Sequence, residues 1–336
     1  MISSSHVRRG WLTPSSILNV LLLCGVLIPA AALRLGLATA DTEIYLQEYT
    51  KYTFADGLMS GPFEPAFMLL SWLAKRLDLD AASYLWIVAS IGVFLKIIGI
   101  CRSSQFIALS ILVYISKYFL LHEMIQVRAG IATGIFLCSL PFLHQRRWAR
   151  YLICVLIATA FHQSAIIYIV LYPICGAANR KLSSVIPLVA SGLLFAALNM
   201  NGALINFFAS YVPKVENYLE LLAAGEHAEI HLFNVEVILK VVIWFTLAAR
   251  YERLCKEYFI FEPIFKIWTL SIVSYFALSS VPVFAFRISE LLDVVAIPLL
   301  PALIVACRNI LIGRAMFFAV IALSFVNYYF IQPIFL

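Results

Sequence analysis

The chain has 336 residues, of which 63% are hydrophobic and only 12% are charged, and its mean hydropathy is +0.96. A soluble domain has about 45–50% apolar and about 25% charged residues, so this composition excludes a soluble globular protein. The net charge of +6 comes from basic residues in short turns between apolar runs, which is typical of membrane topology and not of nucleic-acid binding. The composition predicts a polytopic protein whose first partner is the lipid bilayer.

The length of the apolar runs favours an all-α fold, because a transmembrane barrel would show alternating segments of about ten residues. We expect a single transmembrane domain over residues 1–336, with about nine to eleven membrane segments that include short or re-entrant ones. Seven cysteines are present without a CxxC pair, so neither a disulfide framework nor a metal site is expected, and no cofactor is predicted.

The first part of the chain predicts one long helix and one short helix on either side of a polar loop. Basic residues precede the first apolar run, so the N-terminus is predicted to be cytoplasmic. A signal peptide cut near Ala38-Thr-Ala40 is the alternative, but Arg34 and the length of the run favour an uncleaved helix over 15–37. Residues 38–63 are acidic and rich in tyrosine, and they predict an outer loop. Pro65 suits a first helical turn and indicates a helix over 64–77 that is too short to span with ease.

Two apolar runs, 83–101 and 105–121, follow, and Lys96 with Arg102 is interpreted as a cytoplasmic turn between them. The next run, 124–143, leads to a basic cluster, which places Arg128 in the outer part of its helix.

The segment between two basic turns predicts a re-entrant pair of helices. Arg146–Arg150 and Arg180–Lys181 flank about 28 apolar residues that are interrupted at His162, so each leg would have about 14 residues and a length of about 21 Å. This is shorter than the hydrocarbon thickness of about 30 Å, so we expect the chain to enter and return with His162 near the tip. One long tilted helix, with one basic flank on the outside, is the alternative.

The rest of the chain predicts further helices around a second outer loop over 208–233. His227 and His231 in this loop are four residues apart, but no third metal ligand is evident and a solvated loop is the simpler interpretation. The predicted helices span 185–207, 234–250, 262–281, 286–306 and 315–333.

Polar groups gather on the outer side of this predicted topology. They are the loop with Asp41 and Tyr45, then Glu64 with Pro65, Arg128, His162, and Arg287 with Glu290. A charged residue near a helix centre costs about 2.5–3.5 kcal/mol on insertion scales, so such groups in apolar runs are candidates for function. Arginine suits phosphate oxygens, two arginines from separate helices suit a diphosphate, and histidine can move a proton near neutral pH.

Each of these residues also has a structural interpretation. Arg128 and Arg287 could extend to the interface, and His162 could bond a backbone carbonyl at the helix break. Asp41 and Tyr45 could form an ordinary solvated loop, and Glu64 could only start a helix.

Four of these motifs, in this order and spacing, resemble the EpsG family of bacterial exopolysaccharide proteins, which is grouped with Wzy-type polysaccharide polymerases. The matching residues are Asp41 and Tyr45, Glu64-Pro65-Ala-Phe67, Arg128-Ala-Gly-Ile-Ala132 and Phe161-His162-Gln-Ser-Ala165, with Arg287 as a looser match. The resemblance covers about residues 34–175 well and is general beyond them.

The resemblance implies a glycosyltransferase-type enzyme of the bacterial inner membrane that joins repeat units carried on undecaprenyl diphosphate, on the periplasmic face. Arg128 and Arg287 would bind diphosphate, while His162, Asp41 or Glu64 would accept the proton of the acceptor hydroxyl. Tyr45 and Glu290 would contact sugar. A flippase and a chain-length regulator of the same pathway would be partners.

Two other functions have similar requirements. A transporter that flips lipid-linked sugars would also have a cationic cavity, but it would tend to show repeated halves, which this sequence does not show. A glycosyltransferase that uses single sugars on polyprenyl phosphate would be expected to have a larger and more acidic first outer loop. A purely structural membrane subunit would not explain polar groups clustered on one side.

Overall fold

The computed structural model describes residues 14–33, 40–51, 63–175, 181–197, 234–279 and 281–331. Throughout these ranges the regular elements are helices, so the all-α prediction is confirmed. In chain order the helices are α1 (Pro14–Ala32), α2 (Ala40–Lys51), α3 (Pro65–Arg76), α4 (Ala81–Ser103), α5 (Ile107–Ile125), α6 (Val127–His144), α7 (Trp148–Phe161), α8 (Gln163–Ile174), α9 (Ile186–Ala197), α10 (Val235–Ala248), α11 (Tyr251–Glu257), α12 (Phe261–Ala277), α13 (Pro282–Asp293), α14 (Ala296–Ala306) and α15 (Ile310–Val326).

Helix length and composition agree with a multi-pass membrane protein. Four of the described helices, namely α4, α5, α6 and α15 with the turn that follows it, are long and apolar enough to cross a membrane. The pair α13 and α14 would make a fifth span, bent by 42° at the break between them. Shorter apolar helices, among them α1, α7, α8 and part of α9, pack around these.

The helices α4 and α6 form the centre of the core and run in the same direction. Near the middle of the pair, a Cβ atom at Gly99 would lie 2.6 Å from Leu137 Cβ, and one at Gly134 would lie 2.9 Å from Leu95 Cβ, so the two glycines permit this close approach. At the far end, the Arg102 guanidinium lies 4.8 Å from the centre of the Phe142 ring. The start of α6 and its end at His144 therefore mark opposite ends of the bundle, about 27 Å apart for 18 residues.

The helices α7 and α8 form an antiparallel hairpin, as the re-entrant interpretation predicts. Arg146 donates to the backbone oxygen of Tyr172 at 2.6 Å, and the Tyr172 hydroxyl donates to the backbone oxygen of Arg146 at 3.0 Å. Closer to the tip, the Tyr151 hydroxyl donates to the backbone oxygen of Tyr168 at 2.7 Å. The two legs therefore lie side by side, with His162 at the turn, and a single tilted helix is excluded.

One expectation for the first half of the chain is wrong, and one segment is more regular than expected. Part of the predicted outer loop over 38–63 is helical, because α2 occupies Ala40–Lys51. Lys96 does not mark a turn, since it lies inside α4 with its side chain 0% exposed and only Arg102 is close to the helix end. A short helix after Glu64 is confirmed, because α3 has 12 residues.

The predicted helix 286–306 is also different, because it is divided into α13 and α14 and begins at Pro282. Pro298 and Pro301 follow the break, and proline lacks the N–H group that a continuous helix needs. The predicted outer loop 208–233, with His227 and His231, lies outside the described residues.

The hairpin geometry predicts that Arg147 and Lys181 lie on the same side of the membrane. We expect cysteines introduced at these two positions to react with a membrane-impermeant thiol reagent only after the cytoplasmic side is exposed. Leu77→Cys is the control at the opposite end of the bundle, because Leu77 is exposed and just precedes the start of α4. Labelling of Arg147→Cys and Lys181→Cys from opposite sides would contradict this arrangement.

Candidate functional site

Glu64 lies where the chain turns into α3, and its carboxylate points away from that helix. Its backbone is extended (φ −65°, ψ 152°), and Pro65 occupies the first helical position with a φ that suits it. The Glu64 side chain makes no capping bond to its own helix. The carboxylate is therefore available to other segments, although its charge still lies near the N-terminus of α3, where the helix dipole favours it.

Arg128 is in the first turn of α6 and forms an ion pair with Glu64. The chain breaks at Gln126 (φ −92°, ψ 58°), so α6 begins just before Arg128. Arg128 Nη1 donates to Glu64 Oε2, while Arg128 Nε lies 3.5 Å from the Tyr45 hydroxyl oxygen. The guanidinium also lies 4.7 Å from the centre of the Phe63 ring. About a quarter of the Arg128 side chain (24%) stays exposed, so the guanidinium can contact a ligand.

The tip of the α7–α8 hairpin contacts the same carboxylate. His162 ends α7 in an extended conformation, which leaves the next N–H group at the start of α8 without a helical partner. That group, the N–H of Gln163, donates to Glu64 Oε1 at 3.1 Å. His162 Nδ1 lies 3.7 Å from Glu64 Oε1, and it is buried without a partner within hydrogen-bond distance.

This arrangement bears on the structural interpretation of His162. The Nδ1 atom of the imidazole does not bond a backbone carbonyl at the helix break, because it has no hydrogen-bond partner and faces the Glu64 carboxylate. A buried ring nitrogen without a partner is costly, and such atoms often belong to sites that tighten when a ligand binds. Glu64 also does more than start a helix, since it joins α3, α6 and the hairpin tip.

Two of the remaining predicted site residues, Arg287 and Tyr45, lie near this cluster. Arg287 is exposed on α13, close enough to His162 for the two side chains to interact electrostatically. Tyr45 is buried, with its ring 5.4 Å from Phe63, and it therefore lies behind Arg128. Asp41 is within α2, but its side chain lies outside the described part of the chain.

Glu290 belongs to a second polar group, which the sequence did not reveal. Lys96 Nζ lies 3.0 Å from His122 Nδ1, and it donates to Glu123 Oε1 and to the Gly130 backbone oxygen at 3.3 Å each. On the other side of the ring, His122 Nε2 lies 3.3 Å from Glu290 Oε1. This chain of contacts links α4, α5 and α13, and we call Lys96, His122, Glu123 and Glu290 the histidine network.

A third polar group lies next to the histidine network and is balanced in charge. Lys117 donates to Glu236 and to Asp293 at 2.6 Å each, and Lys240 lies 3.1 Å from both carboxylates. We call these four residues the ion quartet. Asp293 also accepts from the Tyr118 hydroxyl at 2.8 Å and from the Trp268 indole at 3.0 Å, so both of its oxygens are saturated.

The fold makes room for the histidine network with glycines. A Cβ atom at Gly92 would collide with the Glu123 carboxylate, and one at Gly130 would lie 2.6 Å from the His122 backbone oxygen. Burying an ion costs several kcal/mol unless the ion is paired and hydrogen-bonded. Placing these charged side chains in the core therefore lowers the free energy of unfolding considerably. The signal in the sequence was Lys96, which the prediction places in a turn, and the His122-Glu123 pair between two apolar runs.

Comparison with known families supports the resemblance found in the sequence. A sequence model of the EpsG family matches residues 17–334, which is nearly the whole chain. No curated protein and no solved structure matches the chain at a significant level. The family match extends well beyond the motifs around Glu64, Arg128 and His162, and it includes α13 with Arg287 and Glu290.

Proposed function

Because the chain belongs to the EpsG family, we propose that it is a Wzy-type polysaccharide polymerase whose active site includes Glu64, Arg128 and His162. Family membership supports a polysaccharide polymerase, and the apolar helices agree with a multi-pass membrane protein. In this proposal the enzyme is in the bacterial inner membrane and its site faces the periplasm. Its substrates are oligosaccharide repeat units linked to undecaprenyl diphosphate.

The proposed reaction transfers a growing chain between two lipid carriers. The bond between the anomeric carbon and the phosphate oxygen breaks, and a new glycosidic bond forms to a hydroxyl group of the next lipid-linked unit. The electron pair of the broken bond leaves with the diphosphate, and the hydroxyl proton passes to a base. Diphosphate is a stable leaving group, so catalysis needs charge stabilisation and a proton acceptor.

Arg128 and Arg287 are suited to bind the diphosphate. They lie on α6 and α13, and both side chains retain exposed surface beside His162. A guanidinium presents two parallel N–H groups to phosphate oxygens and remains charged when it is partly desolvated. The bond from Glu64 and the Phe63 ring fix the orientation of Arg128 before substrate arrives, which reduces the cost of ordering it.

His162 is the proposed proton acceptor, and Glu64 orients it. With Nδ1 facing Glu64, the ring proton belongs on that nitrogen, which leaves the Nε2 lone pair for the acceptor hydroxyl. The distance of 3.7 Å is longer than a hydrogen bond, and such contacts commonly shorten when substrate binds. Asp41 and Glu64 are the alternative bases, although two donors already occupy Glu64.

Two other residues complete the proposal. Glu290 accepts hydrogen bonds from sugar hydroxyls, and Tyr45, buried behind Arg128, supports the guanidinium. A flippase that supplies the repeat units and a chain-length regulator are the partners that such a pathway needs. The observation that carries the proposal is the convergence of Arg128 and His162 on one carboxylate, Glu64, at the hairpin tip.

Deletion of the gene tests the proposed function directly. We expect the surface polysaccharide of the deletion strain, separated on a gel, to lose its ladder and retain only a single repeat unit. Complementation with the unaltered chain should restore the ladder. Loss of every repeat unit would instead indicate a flippase or an earlier step, and an unchanged ladder would exclude a polymerase.

We expect Arg128→Lys to lose most polymerase activity although the charge is kept, because an ammonium lacks the two parallel donors. The ladder should shift to short chains while the amount of protein in the membrane stays normal. Arg147→Lys is the control, since Arg147 is an exposed residue at the opposite end of the bundle. Equal ladders for both variants would make Arg128 an interfacial anchor.

For His162→Gln we expect normal insertion and a fall in turnover of about 10²–10⁴, the usual effect of removing a positioned acid or base. The assay is the conversion of purified lipid-diphosphate repeat units to longer chains, normalised to inserted protein. His162→Leu is the matched variant that tests structure, because it removes all polarity at the tip. Full turnover by the Gln variant would transfer the base role to Asp41 or Glu64.

A further inference from the structure

The protons of the histidine network can be assigned from its partners. An ammonium has three hydrogens and no lone pair, and Lys96 has three acceptors within reach. The His122 Nδ1 atom is one of them, so it must carry a lone pair and the ring proton must lie on Nε2. His122 therefore donates through Nε2 to Glu290 Oε1, which lies 3.3 Å away.

The two buried groups differ in how completely their carboxylates are satisfied. In the ion quartet, each positive charge has a negative partner, and Asp293 accepts from four donors. The histidine network contains one lysine and two carboxylates, those of Glu123 and Glu290. Glu290 has only two donors among the described residues, namely His122 and, at 3.5 Å, Gln126. A carboxylate has about four acceptor positions, so Glu290 retains unused ones.

The exposed fractions of the side chains show where a ligand can reach the unused acceptor positions of Glu290. Lys96 and His122 are 0% exposed and Glu123 is almost so, but Glu290 is 20% exposed. Glu290 lies one helical turn after Arg287, and its partner Gln126 lies two residues before Arg128. The partly exposed end of the network therefore lies close to Arg287 and Arg128 along the chain and through Gln126.

We propose that Glu290 binds the hydroxyl groups of the acceptor sugar, and that His122 and Lys96 are positioning residues that fix the direction of its carboxylate. The inference rests on the proposed function, since it assigns the acceptor side of the same site. A carboxylate whose two oxygens are held by separate donors presents its remaining lone pairs in a fixed direction, and sugar hydroxyls are donors that fit them. This role of Glu290 explains why a chain of buried polar groups leads to one partly exposed carboxylate.

The test is a binding measurement that does not depend on turnover. The probe is the repeat-unit oligosaccharide released from its lipid by mild acid, titrated into the purified full-length protein in detergent. We expect His122→Phe, which keeps a planar ring and removes the donor, to bind at least tenfold more weakly. His122→Gln should keep affinity within a few-fold, because its amide can donate to Glu290 in place of Nε2.

Lys240→Met in the ion quartet is the matched control. It removes one buried cation but leaves Lys117 paired with both carboxylates, so we expect lower thermal stability and unchanged oligosaccharide affinity. Should His122→Phe fail to fold, Glu290→Gln provides the same test, because it keeps the shape and removes the charge. Equal affinity for the unaltered chain and Glu290→Gln, or no binding of the probe by the unaltered chain, would overturn the inference.

The outcome is separable from that of the proposed polymerase function. Binding that depends on His122, in a protein that does not lengthen lipid-diphosphate repeat units, would support the sugar subsite and refute the polymerase. Polymerase activity with binding that is insensitive to both Glu290→Gln and His122→Phe would refute the subsite alone. A purely structural role would lower the unfolding temperature of the His122 and Lys240 variants alike, without the selective loss of affinity and its rescue by Gln.

Discussion

The candidate site depends on the interactions of the Glu64 carboxylate. It accepts from the Arg128 guanidinium and from the N–H of Gln163, and it faces the Nδ1 atom of His162. Each of these groups would be costly if it were buried alone, because it would lose its hydrogen bonds to water without replacing them. Joined at one carboxylate, they hold three separate segments in a fixed relation and leave part of the guanidinium exposed.

The Glu64 carboxylate also stabilises the turn between α7 and α8. A helix start has N–H groups without partners, and in hydrocarbon these must find an acceptor in the protein. At the hairpin tip Glu64 supplies that acceptor to Gln163. The short legs of α7 and α8 are held together further down by Arg146, Tyr151 and Tyr172. The break is therefore supported on both sides, which keeps His162 beside Arg128.

The ion quartet and the histidine network differ in charge balance. The quartet is balanced and its Asp293 is saturated, so it joins α5, α10 and α13 without an open acceptor on that residue. The histidine network has one cation for two carboxylates, and its unsatisfied end is the exposed Glu290. Buried charge pairs are weak sources of stability, so the unsatisfied carboxylate is better explained by a ligand.

Apolar composition, run length and basic turns determined the fold class, the multi-pass character and the hairpin with His162 at its tip, because each follows from local pattern and helix length. The motifs at Glu64, Arg128 and His162 could be selected individually, since charge in an apolar run is visible in the sequence. Only the tertiary structure decided which groups meet. Lys96 was misassigned to a turn, because its partners His122 and Glu123 come from another helix and the rotation of α4 places it inward. The contact of His122 with Glu290 was likewise decided by packing, which no local pattern specifies.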